Sequence, residues 1–211
     1  MKHRPPLKLR PPVCGICGEL RFDGLPADTS AVDRIPDRIA RRGPDHSGAF
    51  SDGPLALDPR RLAVIDLSTA VDQPMVDGEL KLLLVFNGTS YNYKELRAEP
   101  VAMGYRFFFG SDSEVILKAY LAWGADYVQR FFGRFAFAVW DRRYASLFMA
   151  RDRMACDRFG IKALYYTLNG SWLCFASTAQ ALLELWLQLK LDAPCCPVSS
   201  ISPSQAGTKT A

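Results

Sequence analysis

Eight short runs of aromatic and β-branched residues constrain the fold of this chain more than any other feature of its sequence. They cover Ile16–Phe22, Leu62–Ile65, Leu82–Phe86, Tyr105–Phe109, Phe135–Trp140, Leu147–Ala150, Leu164–Leu168 and Trp172–Ala176. Turn signals at residues 141–143 and at Asn169-Gly170 separate two adjacent pairs of these runs, as in β-hairpins. The sequence therefore predicts antiparallel sheets.

Four further segments have helical features. The clearest is Ser111–Trp123, where apolar residues recur at helical spacing, Ser111 and Glu114 form a capping box, and Gly124 is a stop signal. The weaker helices are Asp28–Ala40, which Pro36 interrupts, Tyr93–Met103, which Pro100 should break or kink, and Thr178–Lys190. Because the helices do not alternate with the strands, the pattern predicts an α+β fold with two antiparallel sheets and helices outside them.

Composition and charge narrow the class of protein. A chain of 211 residues that is 49% hydrophobic and 23% charged can bury a substantial core and fits one domain. The net charge of +4 is spread along the chain, apart from a basic start, so it does not indicate nucleic acid as a partner. Prolines interrupt the first dozen residues, and no apolar run is long enough to span a bilayer, so we expect no membrane partner and a cytoplasmic location.

The chain divides into three parts by composition. Residues 1–13 form a Pro-rich and basic extension, residues 14–190 form the predicted domain, and residues 191–211 are rich in Pro, Ser and Thr. The last part is typical of a disordered tail.

The candidate chemistry centres on Cys14, in the stretch "PVCGICG". A zinc site at Cys14 and Cys17 would need two more ligands, and the only histidines are His3 and His46, so we expect no metal. A thioredoxin-like redox pair would need a strand before the motif and a helix that begins at it. A Cys–His nucleophile pair is poorly supported, because His46 is the only plausible imidazole base and it lies in a loop. A terminal thiol can instead use its own α-amine, of pKa about 8, as the base.

Several motifs in order resemble the class II glutamine amidotransferase domain of asparagine synthetase-like enzymes. They are Cys14-Gly15-Ile16-Cys17-Gly18, Arg42-Gly43-Pro44-Asp45, Arg61-Leu62-Ala63-Val64-Ile65-Asp66, Gln73-Pro74-Met75, Phe86-Asn87-Gly88, Tyr91-Asn92-Tyr93, Ser111-Asp112-Ser113-Glu114-Val115 and Phe135-Ala136-Phe137. The resemblance runs from Cys14 to about Leu183, and the opening stretch is most similar to the N-acetylglutaminylglutamine amidotransferase branch.

The resemblance implies an N-terminal nucleophile hydrolase with a four-layer αββα sandwich. Cys14 would attack the side-chain amide of glutamine through a thioester, and its freed amine would be the general base. The side chain of Asn87 and the amide of Gly88 would form the oxyanion hole. Arg61 would bind the α-carboxylate of glutamine, and Asp112 its α-ammonium, with Thr89 beside them. No cofactor is implied for this reaction.

The sequence also departs from the family pattern. Thirteen residues precede Cys14, so its amine is an amide unless translation starts at Val13 or processing removes them. Thr89 stands where many relatives have a glutamate, and about five extra residues lie near Met154–Arg158.

The chain also lacks the "SGGxDS" phosphate loop of an ATP- and Mg-dependent synthetase domain. The pattern indicates a truncated enzyme of asparagine biosynthesis that would need a separate synthetase partner. The alternatives are a catalytically silent remnant, a module that binds glutamine or a partner, and a CxxC metal or redox protein.

Overall fold

The computed structural model describes residues 15–33, 46–47, 49–61, 73–152 and 162–192. In chain order its strands are β1 (Gly15–Arg21), β2 (His46–Ser47), β3 (Phe50–Asp52), β4 (Leu55–Arg61), β5 (Met75–Asp77), β6 (Leu82–Ser90), β7 (Gly133–Asp141), β8 (Ser146–Arg151), β9 (Tyr165–Asn169) and β10 (Trp172–Ala176). Its helices are α1 (Thr29–Asp33), α2 (Tyr93–Ala102), α3 (Asp112–Trp123) and α4 (Ala179–Asp192), with a 3₁₀ turn at Gly124–Arg130 after α3.

The strands form two antiparallel sheets. The first sheet has the order β2-β4-β1-β10-β9, and β3 also pairs with β4. The second sheet has the order β5-β6-β7-β8. The first sheet thus contains β1–β4 from the start of the chain and β9 and β10 from its end, and the second sheet contains the four strands between them.

Three clusters of buried side chains define four layers. Residues from both sheets, such as Ile16 and Leu57 of the first and Val85 and Ala138 of the second, pack into one cluster between the sheets. A second cluster joins the other face of the first sheet to α1 and α4, and a third joins the other face of the second sheet to α3. The α+β fold predicted from the sequence, with two antiparallel sheets, is confirmed.

Both hairpins that the turn signals predicted are present in the structure. Strands β7 and β8 pair directly across residues 142–145, and β9 pairs with β10 through Asn169 and Trp172. In the second hairpin the two loop residues are Gly170 and Ser171, one position later than predicted. Gly170 has φ of +39°, which a residue without a Cβ adopts most readily.

The predicted helix at Ser111–Trp123 is present, but only half of its capping box forms. The Oγ of Ser111 accepts a hydrogen bond of 3.3 Å from the N–H of Glu114, and Gly124 ends the helix with φ of 62°. The carboxylate of Glu114 turns away from Ser111 and accepts 2.8 Å bonds from the N–H groups of Phe108 and Phe109.

This use of Glu114 explains why the predicted strand at Tyr105–Phe109 is wrong. The backbone there is bound by side chains instead of by a neighbouring strand, since Arg97 also donates to the carbonyl of Phe109 at 2.7 Å. The predicted break at Pro100 is also wrong, because α2 continues to Ala102. Its end is closed by a bond from the N–H of Met103 to the carbonyl of Glu99.

Several strands were not predicted, namely β2, β3, β4 and β5. The predicted strand at Leu62–Ile65, residues 34–40 of the predicted first helix, and residues 1–13 and 193–211 lie outside the described residues. The predicted last helix is present as α4. None of the described helices combines the length and the apolar character needed to cross a bilayer.

Candidate active site

Of the predicted site residues, Asn87 and Gly88 lie in β6, Asp112 begins α3 and the backbone of Arg61 ends β4, while Cys14 lies outside the described residues. Gly15 begins β1 and pairs with Arg60 of β4. Arg61 is the last residue of β4 and its backbone pairs with His46, while its side chain lies outside the described part of the chain. The backbone of Arg61 therefore lies beside the start of β1.

Ser177 links the start of β1 to the end of β10 through hydrogen bonds. The N–H of Ile16 donates to the Oγ of Ser177 at 2.9 Å, and the N–H of Ser177 donates to the carbonyl of Ile16 at 2.8 Å. Ser177 directly follows β10 and is 1% exposed. The backbone two residues after Cys14 is therefore held on both its donor and its acceptor side.

Asn87 lies in β6, on the opposite sheet, and contacts the same serine. Its Nδ2 lies 3.5 Å from the Oγ of Ser177, and its Oδ1 accepts a bond of 2.8 Å from the Nζ of Lys162. Asn87 is completely buried. The polar groups of the two sheets thus meet at a point beside the start of β1.

Gly88 pairs with Phe135 where β6 and β7 lie unusually close. A Cβ at position 88 would lie 2.6 Å from the Cα of Phe135 and would also overlap the carbonyl oxygen of Arg134. Only glycine fits this position without moving the backbone. The close approach fixes the backbone amide that follows Asn87.

The backbone just before Asn87 is held by the side chain of Gln73. Its Oε1 accepts from the N–H of Phe86 at 2.8 Å, and its Nε2 donates to the carbonyl of Phe86 at 2.7 Å. Strand β5 begins only at Met75, so Gln73 supplies the two ladder bonds that a longer β5 would make. Gln73 of the Gln-Pro-Met motif thus fixes the backbone that leads into the Asn-Gly pair.

Asp112 lies at the first turn of α3, close to the end of β6. Its Oδ2 accepts a bond of 3.0 Å from the N–H of Ser90, the residue after the half-buried Thr89. Burial raises the pKa of the Asp112 carboxyl, and the backbone N–H groups of Ser90, Asp112 and Ser113 oppose that shift. A buried carboxylate that already accepts backbone donors can bind a cation with its remaining lone pairs.

Cys17 lies on the face of β1 opposite to that of Ile16, away from the space between the sheets. It belongs to the buried cluster against α1 and α4, and its Sγ lies 3.6 Å from the carbonyl oxygen of Asp58. In the described parts of the chain, no three His, Cys, Asp or Glu side chains are grouped so that they could hold a metal ion.

Sequence reasoning placed Asn87, Gly88 and Asp112 near one another but did not identify three residues that hold them. Ser177, Lys162 and Gln73 bond to Asn87 or to its neighbours. A weak signal existed for Gln73, which lies in one of the recognised motifs. Lys162 also lies in a stretch that resembles the family, "GIKALYY", whereas Ser177 lies in none of the recognised motifs.

The chain matches the family model of the glutamine amidotransferase domain over residues 13–197. It is 38% identical over 175 residues to an asparagine synthetase (glutamine-hydrolyzing) of Bacillus subtilis, covering 81% of this chain and 27% of that protein. It is 33% identical over 191 residues to a putative asparagine synthetase (glutamine-hydrolyzing) of Methanocaldococcus jannaschii, covering 82% of this chain and 35% of that protein. The chain thus spans about a quarter to a third of the length of these relatives.

A solved structure has the same fold. Glutamine phosphoribosylpyrophosphate amidotransferase from B. subtilis superimposes with a TM-score of 0.64 at 17% identity, over 82% of this chain and 44% of that one. The two antiparallel sheets of this chain are therefore arranged as in that amidotransferase. The family model covers most of this sequence. More than a third of the residues aligned with the Bacillus asparagine synthetase are identical. The chain belongs to the glutamine amidotransferase domain family.

Proposed function

We propose that this chain, once Cys14 is its first residue, hydrolyses glutamine to glutamate and ammonia, with Cys14 as the nucleophile. The observation that supports this most is the contact between Ser177, the start of β1 and Asn87. It brings the Asn-Gly pair of one sheet to the strand that begins directly after Cys14. The proposal requires that the Cys14 thiol lie on the same face of β1 as Ile16, between the sheets.

Each step has a candidate group. The thiol of Cys14 transfers its proton to the α-amine of the same residue as its sulfur attacks the amide carbon of glutamine. The side-chain amide of Asn87 and the backbone N–H of Gly88 stabilise the oxyanion of the tetrahedral intermediate. The protonated amine then gives its proton to the leaving nitrogen, ammonia departs, and water hydrolyses the thioester to release glutamate and the thiol.

Substrate recognition would come from two charged groups and one hydroxyl. Arg61 binds the α-carboxylate through its guanidinium group, and Asp112 binds the α-ammonium. Thr89 offers a hydroxyl in place of the carboxylate that many relatives carry there, so Asp112 supplies the negative charge.

At the level of the whole pathway, we propose a role in transferring ammonia to a carboxylate, as in asparagine synthesis, in the cytoplasm. The finer assignment to the N-acetylglutaminylglutamine amidotransferase branch rests on the opening stretch "CGICGELRFDG". Both the ammonia transfer and the branch assignment can be tested by adding ATP, Mg²⁺, a separately supplied synthetase domain and candidate carboxylate acceptors. The measurement is which acceptor is converted to its amide.

The central experiment uses the full chain with a protease recognition sequence placed so that cleavage leaves Cys14 first. Ammonia release from glutamine is measured before and after cleavage. The cleaved protein should be active, and Cys14→Ala should abolish the activity. Cys17→Ala is the matched control, because Cys17 is a thiol of the same motif on the opposite face, and it should stay active.

Two results would contradict the proposal. Equal ammonia release by Cys14→Ala and the unsubstituted chain would exclude Cys14 as the nucleophile. Silence of every cleaved form would favour the catalytically silent alternative, and glutamine titration by calorimetry would then show whether the domain binds without turnover.

A further inference from the structure

We propose that Lys162 is a positioning residue, which fixes the orientation of the Asn87 side-chain amide so that its N–H groups face the start of β1. The Nζ of Lys162 donates to the Oδ1 of Asn87 at 2.8 Å, across 75 residues of chain. This inference rests on the proposed function, because it assigns a purpose to the direction in which Asn87 donates.

The chemistry of the two partners of Asn87 makes Lys162 the one that sets this direction. A serine hydroxyl both donates and accepts, so Ser177 could face either end of the Asn87 amide. A lysine ammonium only donates, so the carbonyl end of the amide must face it. With Oδ1 held by Lys162, the Nδ2 end points to Ser177, as observed at 3.5 Å.

The placement of Lys162 suits a positioning role although its side chain is long. The two residues that follow it, Ala163 and Leu164, are buried, and Leu164 belongs to the cluster between the sheets. These anchors hold the backbone of Lys162 close to a fully buried Asn87. The bond is also charge-assisted, which makes it shorter and stronger than one between neutral groups.

The orientation has a direct consequence for glutamine hydrolysis. Nδ2 carries two N–H groups, so one can face Ser177 while the other donates to the oxyanion. A flipped amide would present Oδ1 to the oxyanion and replace a hydrogen bond by repulsion between two oxygens. A positive charge on the far side of the amide also polarises its N–H groups and strengthens them as donors.

The first test measures the amide itself and needs no enzymatic activity. Nuclear magnetic resonance of the full chain detects the Asn87 side-chain NH₂ signal, which is identified by its loss in Asn87→Ser. In the unsubstituted chain and in Lys162→Arg, this signal should show proximity to Ser177. In Lys162→Met the proximity should be lost or averaged. Lys94→Met, which removes an exposed lysine of α2, is the matched control and should leave the signal unchanged.

The second test measures glutamine hydrolysis by the full chain after cleavage before Cys14. Lys162→Met should lower kcat by about tenfold or more, with a smaller change in KM, because the oxyanion exists only after attack. Lys162→Arg should retain most of kcat. A lysine that only stabilised the fold would lower the melting temperature without this separation of kcat from KM.

The outcomes separate this inference from the proposed function. An Asn87 signal that keeps its proximity to Ser177 in Lys162→Met would overturn the inference, whether or not glutamine is hydrolysed. Hydrolysis absent in every form would contradict the proposed function, while the resonance experiment would still decide the role of Lys162. If Lys162→Met does not fold, Lys162→Gln replaces it, since an amide both donates and accepts and should allow two orientations of Asn87.

Discussion

Ile16 and Ser177 exchange two hydrogen bonds although they lie 161 positions apart in the chain. One is a backbone pair at the end of the β1 and β10 ladder, and the other uses the serine hydroxyl to accept from the N–H of Ile16. Both residues are at most 1% exposed. The start of β1 is therefore held by a residue that is distant in the sequence.

We predict that Ser177→Ala destabilises the protein by about 1–3 kcal/mol, because it leaves the buried N–H of Ile16 without its acceptor. Urea unfolding followed by circular dichroism measures the change. Ser51→Ala is the control, since Ser51 is an exposed strand serine and its replacement should cost little. A loss at Ser177 no larger than the loss at Ser51 would show that the hydroxyl contributes nothing.

We predict that Gly88→Ala is destabilising by about 1–3 kcal/mol or more, because its Cβ would overlap the backbone of β7. The overlap would also displace the amide that we assign to the oxyanion hole, so glutamine hydrolysis should fall further than stability alone explains. Thermal unfolding and the ammonia assay measure the two effects. Gly78→Ala is the matched control, because a Cβ there meets no atom within 4 Å. Equal melting temperatures for the two variants would contradict the prediction.

How much the sequence predicted depended on how local each signal is. The hairpin at Gly170 and helix α3 follow from turn and capping residues within a few positions of each other, and both are present. Strand β4 has no such signal, because it contains Asp58, Pro59 and two arginines. Its pairing explains how it tolerates proline. Partners β3 and β2 cover residues 55–57 and 60–61, so Pro59 falls between them and needs no N–H on that side.

The candidate site divides in the same way. Asn87, Gly88 and Asp112 could be named because their motifs occur in a recognisable order. The contact of Lys162 with Asn87 joins residues 75 apart, and no periodicity or spacing in the sequence encodes such a distance. The predicted capping box failed in one half for a related reason: two upstream N–H groups competed for the Glu114 carboxylate and bound it.

A buried glutamate on β1 should make stability depend on pH. Glu19 is 0% exposed, and burial raises its pKa from 4.5 to about 7, opposed mainly by Arg21, whose Nη1 lies 3.6 Å from its Oε1. The folded protein therefore binds this proton more tightly than the unfolded chain. Stability should fall as pH rises from 4.5 to about 7.

We predict that Glu19→Gln removes this dependence and raises the free energy of unfolding at pH 8 by roughly 3 kcal/mol. Urea unfolding at pH 5 and pH 8 measures the difference between the two proteins. Glu95→Gln, at an exposed position of α2, controls for the loss of one negative charge. A parallel pH profile for Glu19→Gln and the unsubstituted protein would show that the carboxyl does not titrate in this window.

Asp112 has a structural and a proposed functional role that two substitutions separate. Asp112→Ala removes the acceptor of the Ser90 N–H and should cost about 1–3 kcal/mol of stability. Asp112→Asn keeps an acceptor oxygen and removes the charge, so it should be more stable than Asp112→Ala. Both should raise KM for glutamine by roughly tenfold to a hundredfold, since a hydrogen bond to a charged group contributes about 1.5–3 kcal/mol.

The pH dependence of KM gives an independent check on Asp112. Burial raises the pKa of this carboxyl, so acidification should protonate it earlier than an exposed aspartate and weaken its hold on an ammonium group. KM of the cleaved, unsubstituted protein should therefore rise as the pH falls, while KM of Asp112→Asn should be nearly flat. Asp126→Asn, at an exposed position after α3, is the matched control and should behave like the unsubstituted protein. An unchanged KM in Asp112→Asn would mean that the carboxylate serves only the Ser90 amide and the first turn of α3, and that the ammonium of glutamine is bound elsewhere.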